Sequence, residues 1–163
     1  MQEAQIKRPL HEGLISALAF GAFLIIFAAA FGLMPGVPKA AENFFSDMTG
    51  VSWPVTNGNI VLPAPAHPAQ HLVLFNAVFY FMVGIAVLQI VILVLRLTFH
   101  SRFGKISETV GNLIFWSGGA IVANVYLLTG TQLGWFQFWI WLLIILGISL
   151  IGRAFLHFGR RNR

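Results

Sequence analysis

The chain has 163 residues, of which 58% are hydrophobic and only 9% charged, with a formal net charge of +5 and no cysteine. A soluble domain carries roughly a quarter charged residues, so this composition cannot cover a water-exposed surface and excludes nucleic-acid-binding modules, disordered regulators and ordinary soluble enzymes. The lack of cysteine excludes disulfides, thiolate metal sites and cysteine nucleophiles.

Residues 14–34 form the first apolar run, uncharged and with Ser16 as its one side-chain polar group. At ~1.5 Å per residue it is long enough to cross about 30 Å of hydrocarbon. Lys7 and Arg8 precede it, and Ala28, Ala29 and Ala30 resemble a signal-cleavage site. The run continues through Phe31 to Met34, however, longer than a signal core, so a retained span is expected. Gly13, Ala17 and Gly21 recur every four residues, and Ala28 with Gly32 extends this small-residue face. Such spacing lets helix backbones approach closely in lipid. Packing within the chain is its expected use, and contact with another subunit is the alternative.

Residues 37–70 form the one long connection, too apolar for a disordered tether. Pro38 suits the first turn of a short helix through Asp47, with Phe44, Phe45 and Met48 in the membrane interface. Asn57-Gly58 between β-branched residues is the chemistry of a tight hairpin, which Pro54 and Pro63 should keep short. Residues 63–68 should run extended until Pro68 opens the next helix.

The second span covers 71–95 and is closed by Arg96; its polar residues are Asn76, Tyr80 and Gln89, and Gly84 leaves room beside the Asn76–Tyr80 pair. The third, 109–129, carries Asn112 and Asn124, repeats the small-residue spacing at Gly119 and Ala123, and should be N-capped by Ser107 ahead of Glu108. Antiparallel depth matches Asn76 with Asn124 and Gln89 with Asn112 as hydrogen-bonding pairs, although helical rotation prevents both from sharing one straight interface. Gly130, Thr131 and Gln132 make a tight turn into the fourth span, 133–152, which ends at Arg153. Trp135, Trp139 and Trp141 belong to an aromatic belt. The expected fold is all-α: a polytopic membrane protein with a single transmembrane domain over 1–163, a four-helix transmembrane bundle with a partly structured outer loop.

Lys7, Arg8, Arg96, Arg102, Lys105, Arg153, Arg160, Arg161 and Arg163 fall on one side of these spans and Lys39 on the other. Positive residues in short loops stay in the cytoplasm, which puts both termini there in a multi-pass cell-membrane protein and lets the basic side attract anionic headgroups. No nucleic-acid partner is needed to explain the charge.

His11, His100 and His157 lie at one depth with Glu12 and Glu108, offering the ligand types of a zinc or di-iron site. No Glu-x-x-His or His-x-x-x-His pair fixes them, so interfacial histidines are the expected reading. His67 and His71 are four apart, but Pro68 keeps His67 out of the helix, and a metal would need Glu42 or Asp47 as third ligand. His71, with Asn76 and Tyr80, is the best cofactor-binding candidate; no cofactor is predicted. The middles of the spans hold no ionisable residue, which argues against a pump, and no hydrolase or nucleotide motif is present. The expected function is that of a structural, scaffold or accessory subunit that packs against other membrane subunits or itself, with the 37–70 loop as an outer cap or docking surface and no catalysis assigned. The alternatives are a redox-membrane component binding haem, quinone or metal, and a carrier of neutral small molecules that uses Asn76 and Asn124.

Overall fold

The computed structural model describes residues 2–53 and 60–158, with side chains from 12 to 53 and from 60 to 155. Helix α1 (Gln2–Phe27) continues into a π-helical turn, Ala28–Leu33. Gly36, at φ 80°, reverses the chain into α2 (Val37–Ser46), which has Pro38 in its first turn as the sequence suggests. Strands β1 (Met48–Ser52) and β2 (Val61–Pro65) follow, then a 3₁₀ turn, Pro68–His71, leading into α3 (Leu72–Thr98). Helix α4 (Phe103–Val125) ends in a second 3₁₀ turn, Leu127–Thr129, and α5 (Gln132–Phe158) completes the described chain. Four segments are long and apolar enough to cross a membrane: Glu12–Leu33, Pro68–Thr98, Phe103–Thr129 and Gln132–Phe155.

These helices pack in chain order, α1 on α3, α3 on α4 and α4 on α5. The core comprises Phe75, Met82, Ala120, Val122, Ala123, Leu127 and Phe138. Phe81 joins three helices through edge-on contacts with Phe23 at 5.8 Å, Phe27 at 6.0 Å and Trp116 at 5.6 Å. Close approach depends on glycine. A methyl group at Gly84 would stand 2.7 Å from Ile26 Cγ2, and one at Gly118 would stand 2.8 Å from Ile145 Cγ2. The predicted packing residues Gly119 and Ala123 lie in the α4 interface, Gly119 beside Met82 and Leu142 and Ala123 fully buried. The α1 stripe behaves differently. Nothing lies within 4 Å of a Cβ placed at Gly13, Gly21 or Gly32, and Ala17 and Ala28 are exposed. The expected use of that face in packing within the chain therefore does not occur among the described residues: α1 meets α3 through Phe23, Ile26 and Phe27 instead.

The third span starts earlier than expected, at Phe103, so Ser107 is not its N-cap. Lys105 and Glu108, 3.0 Å apart, form an i,i+3 pair that supports this added turn. The connection from α3 to α4 shrinks to Phe99–Arg102 and is closed by His100 at φ 50°. The His100 N–H donates to the Leu97 carbonyl (3.2 Å) and the Ser101 N–H to the Arg96 carbonyl (2.9 Å). Those two bonds around a left-handed residue are a Schellman helix end, with histidine where glycine is usual.

Candidate functional site

Two polar clusters stand out, one at each end of the helices. At the first, α2 terminates on Asp47, whose N–H donates back to the Asn43 and Phe44 carbonyls. The chain then extends into β1, which pairs antiparallel with β2 so that Met48 faces Pro65 and Ser52 faces Val61. The ladder continues past both strand ends, with the Ala66 N–H donating to Asp47 O (3.0 Å) and the Trp53 N–H to Ile60 O (2.8 Å). Two strands pair where the hairpin is expected, and Pro63 lies inside β2 and does not end it; the Asn57-Gly58 turn on which that expectation rests falls outside the described residues. Trp135 Nε1–H donates to the Pro63 carbonyl at 3.2 Å and Gln132 Nε2–H to the Ala66 carbonyl at 3.3 Å, fastening this cap to α5. Trp53 packs on Phe136 with ring centres 4.8 Å apart.

Under the cap, one carboxylate collects three donors. Asp47 Oδ2 accepts the backbone N–H of His67 (2.8 Å) and His71 Nε2–H (2.9 Å), while Oδ1 accepts His67 Nδ1–H (2.9 Å). Pro68 makes this possible, since it starts the 3₁₀ turn and leaves His67 outside it, at its entrance, where both its ring and its N–H reach Asp47. The bond from the His67 ring, then that from His71, then that from the His67 backbone hold the Asp47 carboxyl well below the usual carboxylate range. His71 is 2% exposed. The Phe44 ring stands perpendicular to it at 5.3 Å and Phe75 lies at 6.3 Å. Its bond to an acceptor-only carboxylate assigns the proton to Nε2, and Nδ1 is buried without a partner among the described residues. Phe44, expected in the lipid interface, instead packs inward on His71, Phe75 and Trp135. Phe45 does face outward, 75% exposed.

Of the metal-ligand alternatives on this side, Asp47 is the residue brought to His67 and His71, whereas Glu42 pairs with Lys39 at 2.9 Å. The ring nitrogens facing Asp47 carry the protons that make these bonds, and no group of three or more metal-type ligands forms among the described residues. His71, Asn76 and Tyr80 do not form one site. His71 is buried under the cap, Asn76 Nδ2 donates to its own helix at the Leu72 carbonyl (2.8 Å), and Tyr80 is exposed. The side chains of His11 and His157 lie outside the described residues, and His100 occupies the exposed helix end.

The second cluster lies at the basic end, and the sequence suggests other roles for its members: Arg96 and Arg153 as the ends of spans, Ser107 as an N-cap, Asn112 as a partner of Gln89 and Glu12 as a metal-ligand type. Arg96 is 8% exposed. Its Nη1 donates to the Lys105 carbonyl (2.6 Å) and to Thr109 Oγ1, and its Nε is 4.0 Å from Glu12 Oε2. Across α4, Arg153 Nη2 donates to Asn112 Oδ1, and the Arg153 carbonyl accepts Ser107 Oγ–H at 3.3 Å. Any Cβ at Gly111 would collide with the Arg153 side chain, so that glycine makes room for it. Polar ties therefore run from α1 to α5 at this end. The predicted pairs Asn76–Asn124 and Gln89–Asn112 are absent among the described residues, and Asn124 is exposed. An arginine near the end of α3 and a threonine in the second turn of α4, joined by a short connection, are the signal from which the first of these ties was readable.

No protein-family model, curated protein or solved structure matches the chain.

Proposed function

We propose that the protein is a structural or accessory subunit of a membrane assembly, packing against other membrane subunits or against itself, with no catalysis assigned to it. One observation carries this reading. The free face of α1 combines large exposed side chains, Leu14, Leu18 and Ile25, with Gly13 and Gly21, beside which there is open space, and the exposed Ala17. Small residues between exposed apolar ones form a surface onto which a second helix backbone can close. The polar groups support the same reading, because most of them bind the chain to itself.

In this reading the helices cross the cell membrane with both termini cytoplasmic, and the basic end faces anionic headgroups. A reporter fused at residue 55 should then signal from outside the cytoplasm. The subunit role is tested by purification from native membranes in mild detergent, comparing the wild-type chain with Gly21→Leu. A stoichiometric membrane partner or a self-assembly that Gly21→Leu removes, with helicity intact, is the expected result. A monodisperse single chain unaffected by the substitution refutes it.

A further inference from the structure

The two edges of the cap ribbon are built differently. Pairs 47–66 and 53–60 are hydrogen-bonded across the ladder. Because such pairs alternate in antiparallel strands, 49–64 and 51–62 are hydrogen-bonded as well. The backbone groups of Val61, Pro63 and Pro65 on β2, and of Met48, Gly50 and Ser52 on β1, therefore point away from the ladder. On β2 two of these three positions are prolines without an N–H, and the Pro63 carbonyl is taken by Trp135. Proline and a covering element are the devices that blunt a strand edge. On β1 neither a proline nor a second pairing strand is present among the described residues. Met48, Gly50 and Ser52 carry no proline or charge, and no element other than β2 pairs with the strand among the described residues.

We propose that this edge is an interaction surface for a second copy of the chain, with β1 of the two copies pairing antiparallel about a two-fold axis at Gly50. The proposal rests on the subunit reading above and names one partner for it. The edge is self-complementary in this register. Gly50 opposes Gly50, Met48 opposes Ser52, and the outward donors and acceptors of each copy meet those of the other in about six backbone hydrogen bonds. At the axis glycine presents no side chain. A ribbon of two five-residue strands is marginal alone, and pairing makes it a four-stranded sheet. The edge also offers no charge with which to select a foreign sequence.

The chain contains no cysteine, so introduced cysteines report alone. In this register Thr49 opposes Val51 of the other copy as a non-hydrogen-bonded pair with Cα atoms about 4.5 Å apart, within disulfide range. Membranes containing both a Thr49→Cys and a Val51→Cys chain should form an inter-copy disulfide under mild oxidant, well above either chain alone. As a control, Ser52→Cys with Val61→Cys in one chain should close an intrachain bond across the existing ladder. Ser52→Pro removes an outward N–H that the ladder does not use. It should leave the thermal midpoint unchanged and lower the inter-copy association constant by roughly 25-fold, about five-fold for each of two lost bonds.

If the intrachain control closes while the mixed pair does not, self-pairing is overturned. A missing control bond removes the ladder on which it rests, and insensitivity to Ser52→Pro refutes the edge as the contact. A different membrane protein lost on Gly21→Leu, with no β1 crosslink, would leave the subunit reading standing and this inference refuted.

Discussion

Replacing Arg96 with methionine should destabilise the helical assembly by about 3 kcal/mol, because it strands a buried carboxylate. Arg96 Nε lies 4.0 Å from Glu12 Oε2. At an effective dielectric constant of 20, unit charges at that distance attract by about 4 kcal/mol, which offsets the desolvation of both groups. With the guanidinium gone, both Glu12 oxygens remain buried, and neither accepts a hydrogen bond among the described residues. Methionine retains most of the aliphatic stem, so the loss reflects charge more than packing. Glu12→Gln in the Arg96→Met background should restore about 2 kcal/mol, since a neutral amide is far cheaper to leave buried. Thr109→Val, which keeps the shape but removes one acceptor of Arg96, should cost about 1 kcal/mol. Equilibrium unfolding in mixed micelles of mild detergent and dodecyl sulfate, read by helical circular dichroism, completes the double-mutant cycle. A Glu12–Arg96 coupling below about 0.5 kcal/mol would refute the clamp.

Asp47→Ala should loosen the cap while leaving α3 and α4 intact, seen as faster amide exchange at Trp53 and Ala66, whose N–H groups lie at the two ends of the ladder. The Asp47 carboxyl is depressed from its ordinary value of 3.8, so its stabilisation is fully present above that value and lost as pH falls through the lower value in the folded protein. The Asp47 contribution to cap protection, corrected for intrinsic exchange, should therefore decline as pH falls below about 4. His100→Gly should raise the unfolding free energy by about 1 kcal/mol, because glycine adopts the left-handed helix end without a Cβ penalty; a fall would contradict the Schellman assignment. Gly84→Val should cost about 1–3 kcal/mol by driving a side chain into Ile26. Gly21→Ala, facing open space, should be neutral in the isolated chain, and the pair of unfolding curves distinguishes the buried glycine from the exposed one.

The long apolar runs were legible because they depend on composition over some twenty positions, and no single contact decides them. Pro38, the hairpin strands and the tight turn at Gly130 were legible for a related reason: each follows from a backbone preference of the residue itself. What could not be read was which side chain meets which. Asn76 and Asn124 match in depth, yet Asn76 satisfies itself on Leu72 one turn back and Asn124 faces outward. The groups that do cross between helices include Arg96 and Arg153, whose long stems let charge reach a neighbour that depth alone does not indicate, and Ser107. Asp47 was a weak candidate because its partners, His67 and His71, are twenty and twenty-four residues away and become neighbours only when the hairpin folds back. The α1 stripe illustrates the opposite error, a sound packing pattern with no partner inside the described chain.

The basic residues consequently do two separable things. Arg96 and Arg153 are drawn into the helical assembly, where their positions are fixed by Thr109, Glu12, Asn112 and the room left at Gly111. Setting them aside, the sequence still assigns Lys7, Arg8, Arg102, Lys105, Arg160, Arg161 and Arg163 to one side of the spans and Lys39 to the other. The proposed orientation therefore survives without the two arginines that hold helices together, because retention of charge counts basic residues near the spans regardless of their contacts in the folded state. Neutralising Arg96 should weaken helix packing without reversing the chain, whereas neutralising Arg102 and the terminal arginines should affect orientation and headgroup attraction without loosening the helices. In the proposed reading, the basic residues counted from sequence thus divide into those that set which way the chain faces and two, Arg96 and Arg153, that hold its helices to one another.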